Sequence, residues 1–177
     1  MTRLLKHFLT TFFGLILLIT LAPSLYAQST NQQPITIEAN QLDAFDQIGE
    51  SHYQGEVLAQ RGNITIRGEN LVVFHPQRVI NRLVTNGQPA QFEMQNNDQG
   101  QIKGQAEQIV YYVDQEIAHL IGNAFVDQDS SQSIRAGLII IDLNTMTMQA
   151  SGNTHATDQT PEKQGRVEMI FTPGNQN

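Results

Sequence analysis

Four histidines lie downstream of residue 27: His52, His75, His119 and His155. Metal binding or acid–base work would ask them to stand in pairs at i, i+2 or i, i+4, or beside a carboxylate at ligand spacing, and none does. His52 and His119 fall at corresponding places, just before Gly55 and Gly122, which reads as a repeat position that tolerates a polar residue. The chain has no cysteine, so a thiol nucleophile, a thiolate metal site, a disulfide and lipidation on Cys are all excluded. No G-x-S-x-G, phosphate loop or G-x-G-x-x-G occurs, and the carboxylates alternate with apolar residues or sit in turns, as Asp127 and Asp129 do. Arg67, Lys103 and Arg135 share one motif position and could form a basic ladder that meets phosphates; the plainer reading is a solvated row. Asn63-Ile64-Thr65 matches a glycosylation sequon, read here as accidental. The residues therefore predict no catalytic centre, no metal site and no cofactor.

The elements that would position any site begin after an amino-terminal segment of a different kind. Arg3 and Lys6 precede residues 8–22, which carry no charge, and Pro23 and Leu25-Tyr26-Ala27 follow. That is the layout of a cleavable secretory signal over residues 1–27. A helix of 15 residues spans about 22 Å, short of the roughly 30 Å hydrocarbon core of a bilayer. The expected location is the periplasm of a Gram-negative bacterium. Without Arg3 and Lys6, 8 Lys+Arg face 17 Asp+Glu, a net charge of −9 that argues against nucleic acid as a partner. Residues 28–172 are expected to form a single domain, large enough to bury one core without staples, with residues 173–177 as a flexible tail.

Within that domain the apolar residues alternate. Ile35-Thr36-Ile37-Glu38-Ala39, Ile64-Thr65-Ile66-Arg67-Gly68 and Met146-Thr147-Met148-Gln149-Ala150 all have the period of two of half-buried strands. Turn residues are dense at Arg61-Gly62-Asn63, Asn86-Gly87, 96–100, Gly122-Asn123 and Ser151-Gly152-Asn153. The fold class is all-β. A signature Ile-x-[Ala/Gly] recurs at Ile37, Ile66, Ile102 and Ile134, at spacings of 29, 36 and 32 residues. A glycine expected to open a new strand follows each, at Gly55, Gly87, Gly122 and Gly152. Four units of about 32 residues, each with about three short strands, imply a stacked β architecture that aligns their Ile residues into one apolar slot, with a β-helix or closed barrel as the competing geometry. The uneven spacing disfavours the competing strict solenoid.

The segments Gln33-Pro34-Ile35-Thr36-Ile37-Glu38-Ala39, Gly55-Glu56-Val57-Leu58-Ala59-Gln60, 64–73, Gly87-Gln88-Pro89-Ala90-Gln91-Phe92, Gly104-Gln105-Ala106 and Leu120-Ile121-Gly122-Asn123-Ala124 resemble the OstA-like, or LptA, family of lipopolysaccharide-transport proteins. The likeness covers nearly all of residues 33–155; residues 157–177 lack the lysine-rich end of some members. It implies an OstA-like β-jellyroll whose hydrophobic groove carries lipopolysaccharide acyl chains between the inner and outer membranes. It also implies head-to-tail self-association, with inner-membrane LptC-like and outer-membrane LptD-like proteins at the two sheet edges. Keeping a dozen methylenes from water is favourable by about 10 kcal/mol, at about 0.8 kcal/mol each, which a long slot achieves without catalysis. The expected groove residues are Ile35, Ile37, Phe92 and Val113, and on that expectation Phe92→Glu weakens lipid binding more than folding. The alternative is a periplasmic scaffold that binds no lipid. A carbohydrate-active β-helix enzyme, needing convergent carboxylates, stands third.

Overall fold

A computed structural model describes residues 33–96, 100–129, 131–152 and 165–172. The signal segment 1–27, the tail 173–177 and His155 lie outside the described residues. The strands are β1 (Thr36–Glu38), β2 (Gln41–Phe45), β3 (Glu50–Arg61), β4 (Ile64–Phe74), β5 (Arg82–Asn96), β6 (Gly100–Tyr112), β7 (Ile117–Gln128), β8 (Gln132–Asp142), β9 (Thr147–Ser151) and β10 (Glu168–Phe171), with one 3₁₀ turn at Pro76–Arg78. They make one antiparallel sheet in the order β1-β3-β4-β5-β6-β7-β8-β10. At one edge β1 and β2 lie in succession along β3, and at the other β9 and β10 lie in succession along β8. The all-β class expected from the alternation, and the jellyroll that the resemblance implies, are the fold observed.

A line of bulges folds this sheet over on itself. The register slips between Gln54 and Val57 on β3, Asn86 and Ala90 on β5, and Ile121 and Ala124 on β7. At two of these slips paired residues take positive φ: Gly55 (78°) with Glu56 (50°), and Gly122 (80°) with Asn123 (47°). Extra residues in one strand bend it and increase its twist. Because the bulges fall on neighbouring strand pairs at the same level, the sheet folds over along them. Gly55, Gly87 and Gly122 thus sit in the middle of long strands and do not open new ones, and the two middle periods each hold two long strands, β4–β5 and β6–β7, not three short ones. The strand partners register the bend as a change of inward parity. In β4 Ile64 and Ile66 are buried before it and Leu71 and Val73 after it; in β6 the switch runs from Ile102 to Ile109 and Tyr111.

The fold divides the sheet into two facing walls. The first comprises β1, the second halves of β3, β5 and β7, the first halves of β4, β6 and β8, and β10. The second comprises β2, the other halves and β9. Side chains from both walls meet in one core that includes Val57, Ala59, Ile66, Phe92, Ile102, Leu83, Ile109, Leu120 and Ile139. The signature glycines mark where backbones crowd: a Cβ on Gly104 would lie 2.6 Å from Leu120 Cδ2, and one on Gly68 2.7 Å from the Asn86 carbonyl. The outside of the second wall carries an apolar patch along its middle too. The register there aligns His52, Val72, Val84, Val110, His119 and Ile140, which explains the unbroken apolar runs Leu71-Val72-Val73-Phe74 and Leu138-Ile139-Ile140-Ile141.

Candidate functional site

Following the pairings across the inner face of the first wall gives one row: Ile37, Ala59, Ile66, Phe92, Gly104, Val126, Ile134, Met169. It crosses eight strands from the first edge to the last, roughly 34 Å at about 4.8 Å per strand. Two of the expected groove residues, Ile37 and Phe92, therefore belong to the same row, separated by Ala59 and Ile66. Phe92 is completely buried (0% exposed), whereas Ile37 is half-buried at the open edge. Three signature isoleucines, Ile37, Ile66 and Ile134, fall in this row because the 3.3–3.4 Å rise per residue and the hairpin turns keep each at the same level. Ile102 pairs one level along, with Met94.

Ile35 and Val113 lie elsewhere, at the mouth opposite the bend, each beside Arg61. Ile35 lines a narrow crevice with Ala59, Arg61, Ile64, Ile66, Leu83 and Tyr111. Arg61 ends β3 at an inward position, in step with Val57 and Ala59. Its guanidinium Nη1 donates to Tyr111 Oη (2.6 Å) and to the carbonyl of Val113 (3.1 Å), and Glu116 Oε1 lies 3.4 Å away. Burial raises the Tyr111 phenol pKa above its ordinary value, an effect that the Arg61 hydrogen bond opposes. Arg61, Tyr111 and Glu116 were not expected from the sequence. Arg61 sits in a turn-like Arg-Gly-Asn, and the contact spans 50 residues of chain. The one available signal was a basic residue at an inward position of an alternating strand.

At the last edge a depression of about 930 Å³ is lined by Ala124, Ala136 and Met169, which face inward, together with Arg135, Arg166 and Glu168 among others. The interior is thus open beside β10.

The basic residues do not form a ladder. Arg67 stands level with Gln91 and Gln105, but Lys103 stands level with Glu93 and Thr65, one row away. Arg67 Nη1 lies 3.3 Å from Glu93 Oε2, and the Arg135 guanidinium stacks 4.3 Å above the Phe125 ring. The two arginines are engaged locally, as a solvated sheet face would have it. Among the described residues no group of three or more His, Asp or Glu could hold a metal ion.

His52 and His119 correspond in space as they do in sequence. Both lie in the outer row of the second wall, and each packs edge-on against an aromatic, Phe45 and Tyr112, at 5.1 Å. Burial lowers the His119 pKa below the usual value of about 6.5. The fold therefore favours the neutral ring, and the unfolded chain takes up the proton first as pH falls. This contribution to stability is complete above pH of about 6.5 and is lost on acidification below it. In urea titrations at pH 7, 6 and 5, His119→Gln should flatten the decline in midpoint seen for the unmodified chain. An unchanged slope would show that other groups carry the acid sensitivity.

The family described as "LptA/(LptD N-terminal domain) LPS transport protein" matches residues 36–147. The chain is 25% identical over 163 residues to the lipopolysaccharide export system protein LptH of Pseudomonas aeruginosa, covering 91% of each. It is 28% identical over 130 residues to LptA of Escherichia coli K12, covering 72% of this chain and 70% of that protein. The crystal structure of P. aeruginosa LptH, described as the LptA-homologous periplasmic component of the lipopolysaccharide transport device, has the same fold: TM-score 0.70 at 24% identity, covering 80% of this chain and 96% of LptH. The matched span runs from β1 to the start of β9 and contains most of both walls, so the chain belongs to the LptA/LptD N-terminal-domain family of LPS transport proteins.

Proposed function

We propose that this protein is a periplasmic carrier and bridge that moves lipopolysaccharide toward the outer membrane, holding its acyl chains against the inner faces of the folded sheet. The observation that carries the reading is the apolar row Ile37, Ala59, Ile66, Phe92, Gly104, Val126, Ile134, Met169, which reaches both edges. A slot with two open ends suits a cargo that enters at one and leaves at the other; a closed pocket would suit retention. The relatives bear the names of transport-system proteins, and no catalytic step is invoked: the work is burial of methylenes, at about 0.8 kcal/mol each. Residues 1–27 supply export by a cleavable signal.

The edges supply the partners. Leu42 and Phe45 are exposed on β2, and Val167, Met169, Ile170 and Phe171 on and beside β10. Unpaired edges flanked by apolar side chains recruit strands from other chains. Joining last edge to first is a heterologous contact, which propagates instead of closing. The same edges would take an LptC-like protein at the inner membrane and an LptD-like protein at the outer.

The test places an aromatic photo-crosslinking residue at Phe92 or, separately, at outward-facing Glu93, and exposes each purified variant to lipopolysaccharide. Adducts are expected at Phe92 and not at Glu93. No adduct at either position would favour a scaffold that binds no lipid, and equal adducts would mean that lipid lies on the outside of the first wall.

A further inference from the structure

Between its two edges, the interior that receives acyl chains on this reading is packed shut. Phe92, Ile102, Ile109, Leu120 and Ile139 are each 0% exposed. The crevice beside Ile35 offers about 10 Å³, the room of about one water molecule and far less than a methylene chain needs. A chain passes from edge to edge only if the walls part. They cannot part along the bulge line, because every long strand runs through it, so the opening lies at the opposite mouth. There, among the described residues, the hydrogen bonds and ion pair by which a side chain joins one wall to the other all belong to Arg61, which reaches Tyr111, Val113 and Glu116.

We propose that Arg61 is the latch of the lipid path: release of its bonds to Tyr111, the Val113 carbonyl and Glu116 opens the mouth between the β3–β4 and β6–β7 turns and frees the interior between the two edges. This rests on the reading that acyl chains occupy the interior. Three observations carry it. Arg61 occupies an inward position, where its strand neighbours are Val57 and Ala59, and its side chain is only 12% exposed. An apolar residue there would seal the mouth at no desolvation cost, whereas a buried ion pair adds little net stability and separates into water readily. Glu116 is 38% exposed, so both charges have solvent waiting once they part. Finally, the arginine stem covers the crevice that Ile35, Ile64, Ile66 and Leu83 line, so its swing uncovers the start of the apolar surface.

The chain has no native cysteine, which permits a clean lock. Arg61→Cys and Glu116→Cys are combined, bridged with a short cleavable thiol cross-linker, and scored by lipopolysaccharide adducts to a photo-crosslinking residue at Phe92. Bridging is expected to lower the adduct yield at least tenfold, and cleaving the bridge to restore it. Arg61→Gln and Tyr111→Phe, each verified as folded by circular dichroism, should form adducts several-fold faster than the unmodified chain at limiting lipid. Equal yields from bridged and cleaved protein would overturn the latch and leave the carrier reading intact. Loss of adducts in folded Arg61→Gln would overturn it as well, making Arg61 a lipid ligand instead. Absence of adducts in the protein with Arg61 and Glu116 in place would sink the carrier reading and the latch with it.

Discussion

Phe92→Glu is expected to unfold the domain, not merely to empty a lipid path. Phe92 is completely buried, paired with Ile66 on one side and Gly104 on the other, and no described cation lies within its row. A carboxylate there is left without water or partner. Such burial costs several kcal/mol even after the group neutralises itself, against a typical domain stability of about 5–15 kcal/mol. Circular dichroism should lose its β signal, or the urea transition should move to a much lower midpoint. Phe92→Leu keeps the apolar character, removes part of the ring volume and should cost about 1–3 kcal/mol while the fold survives. The leucine variant is therefore the one in which lipid binding can be read. Complete burial reverses the expectation drawn from the alternation Ala90-Gln91-Phe92-Glu93-Met94, that the glutamate would act on lipid more than on folding. A folded Phe92→Glu protein with an unshifted midpoint would mean that Phe92 already faces an open groove.

That reversal shows what the sequence could carry. Alternation states which face a residue takes, so Phe92 and Glu93 were correctly assigned to opposite faces. It does not state how near the opposing wall lies, because that distance is set by where the sheet bends. The bend was legible only in part. Gly55, Gly87 and Gly122 stood out at regular offsets, but a glycine at positive φ serves a hairpin turn and a mid-strand bulge equally well. The two differ only in whether the chain reverses, and that depends on pairing with strands far away. Leu138-Ile139-Ile140-Ile141 posed the opposite problem: its alternation is erased because both faces of the second wall are apolar. Arg61 was hidden for a third reason. Its partners Tyr111, Val113 and Glu116 are at least 50 residues distant, and only the folding-over of the sheet brings them to it.

Head-to-tail growth of the full chain, and a monomer with its core intact once residues 165–177 are deleted, are the expected results, because of how the two edges end. The first wall crosses eight strands, β1 to β10, each antiparallel to the last. An even count makes β10 run opposite to β1, so β10 of one copy meets β1 of the next as a normal antiparallel pair. The second wall also crosses eight strands, from β2 to β9, so both walls can continue into the neighbour together. In such a join Met169 comes beside Ile37, and the inward apolar row runs on from copy to copy. Removing β10 leaves the first wall at seven strands. Its new edge, β8, is parallel to β1, presents Arg135 and Ser133, and no longer ends flush with β9. Edge charge of this kind discourages strand addition. The fold should tolerate the loss, because every residue of β10 is exposed. Sedimentation over a range of concentrations should show one species of monomer mass, while the full mature chain grows with concentration. Ile170→Lys, which keeps the strand but charges it, should weaken association in the same direction. Unchanged, concentration-dependent growth in the truncated protein would show that copies meet through some other surface, and the apolar outer face of the second wall around Val72, Val84 and Val110 would be the first place to look.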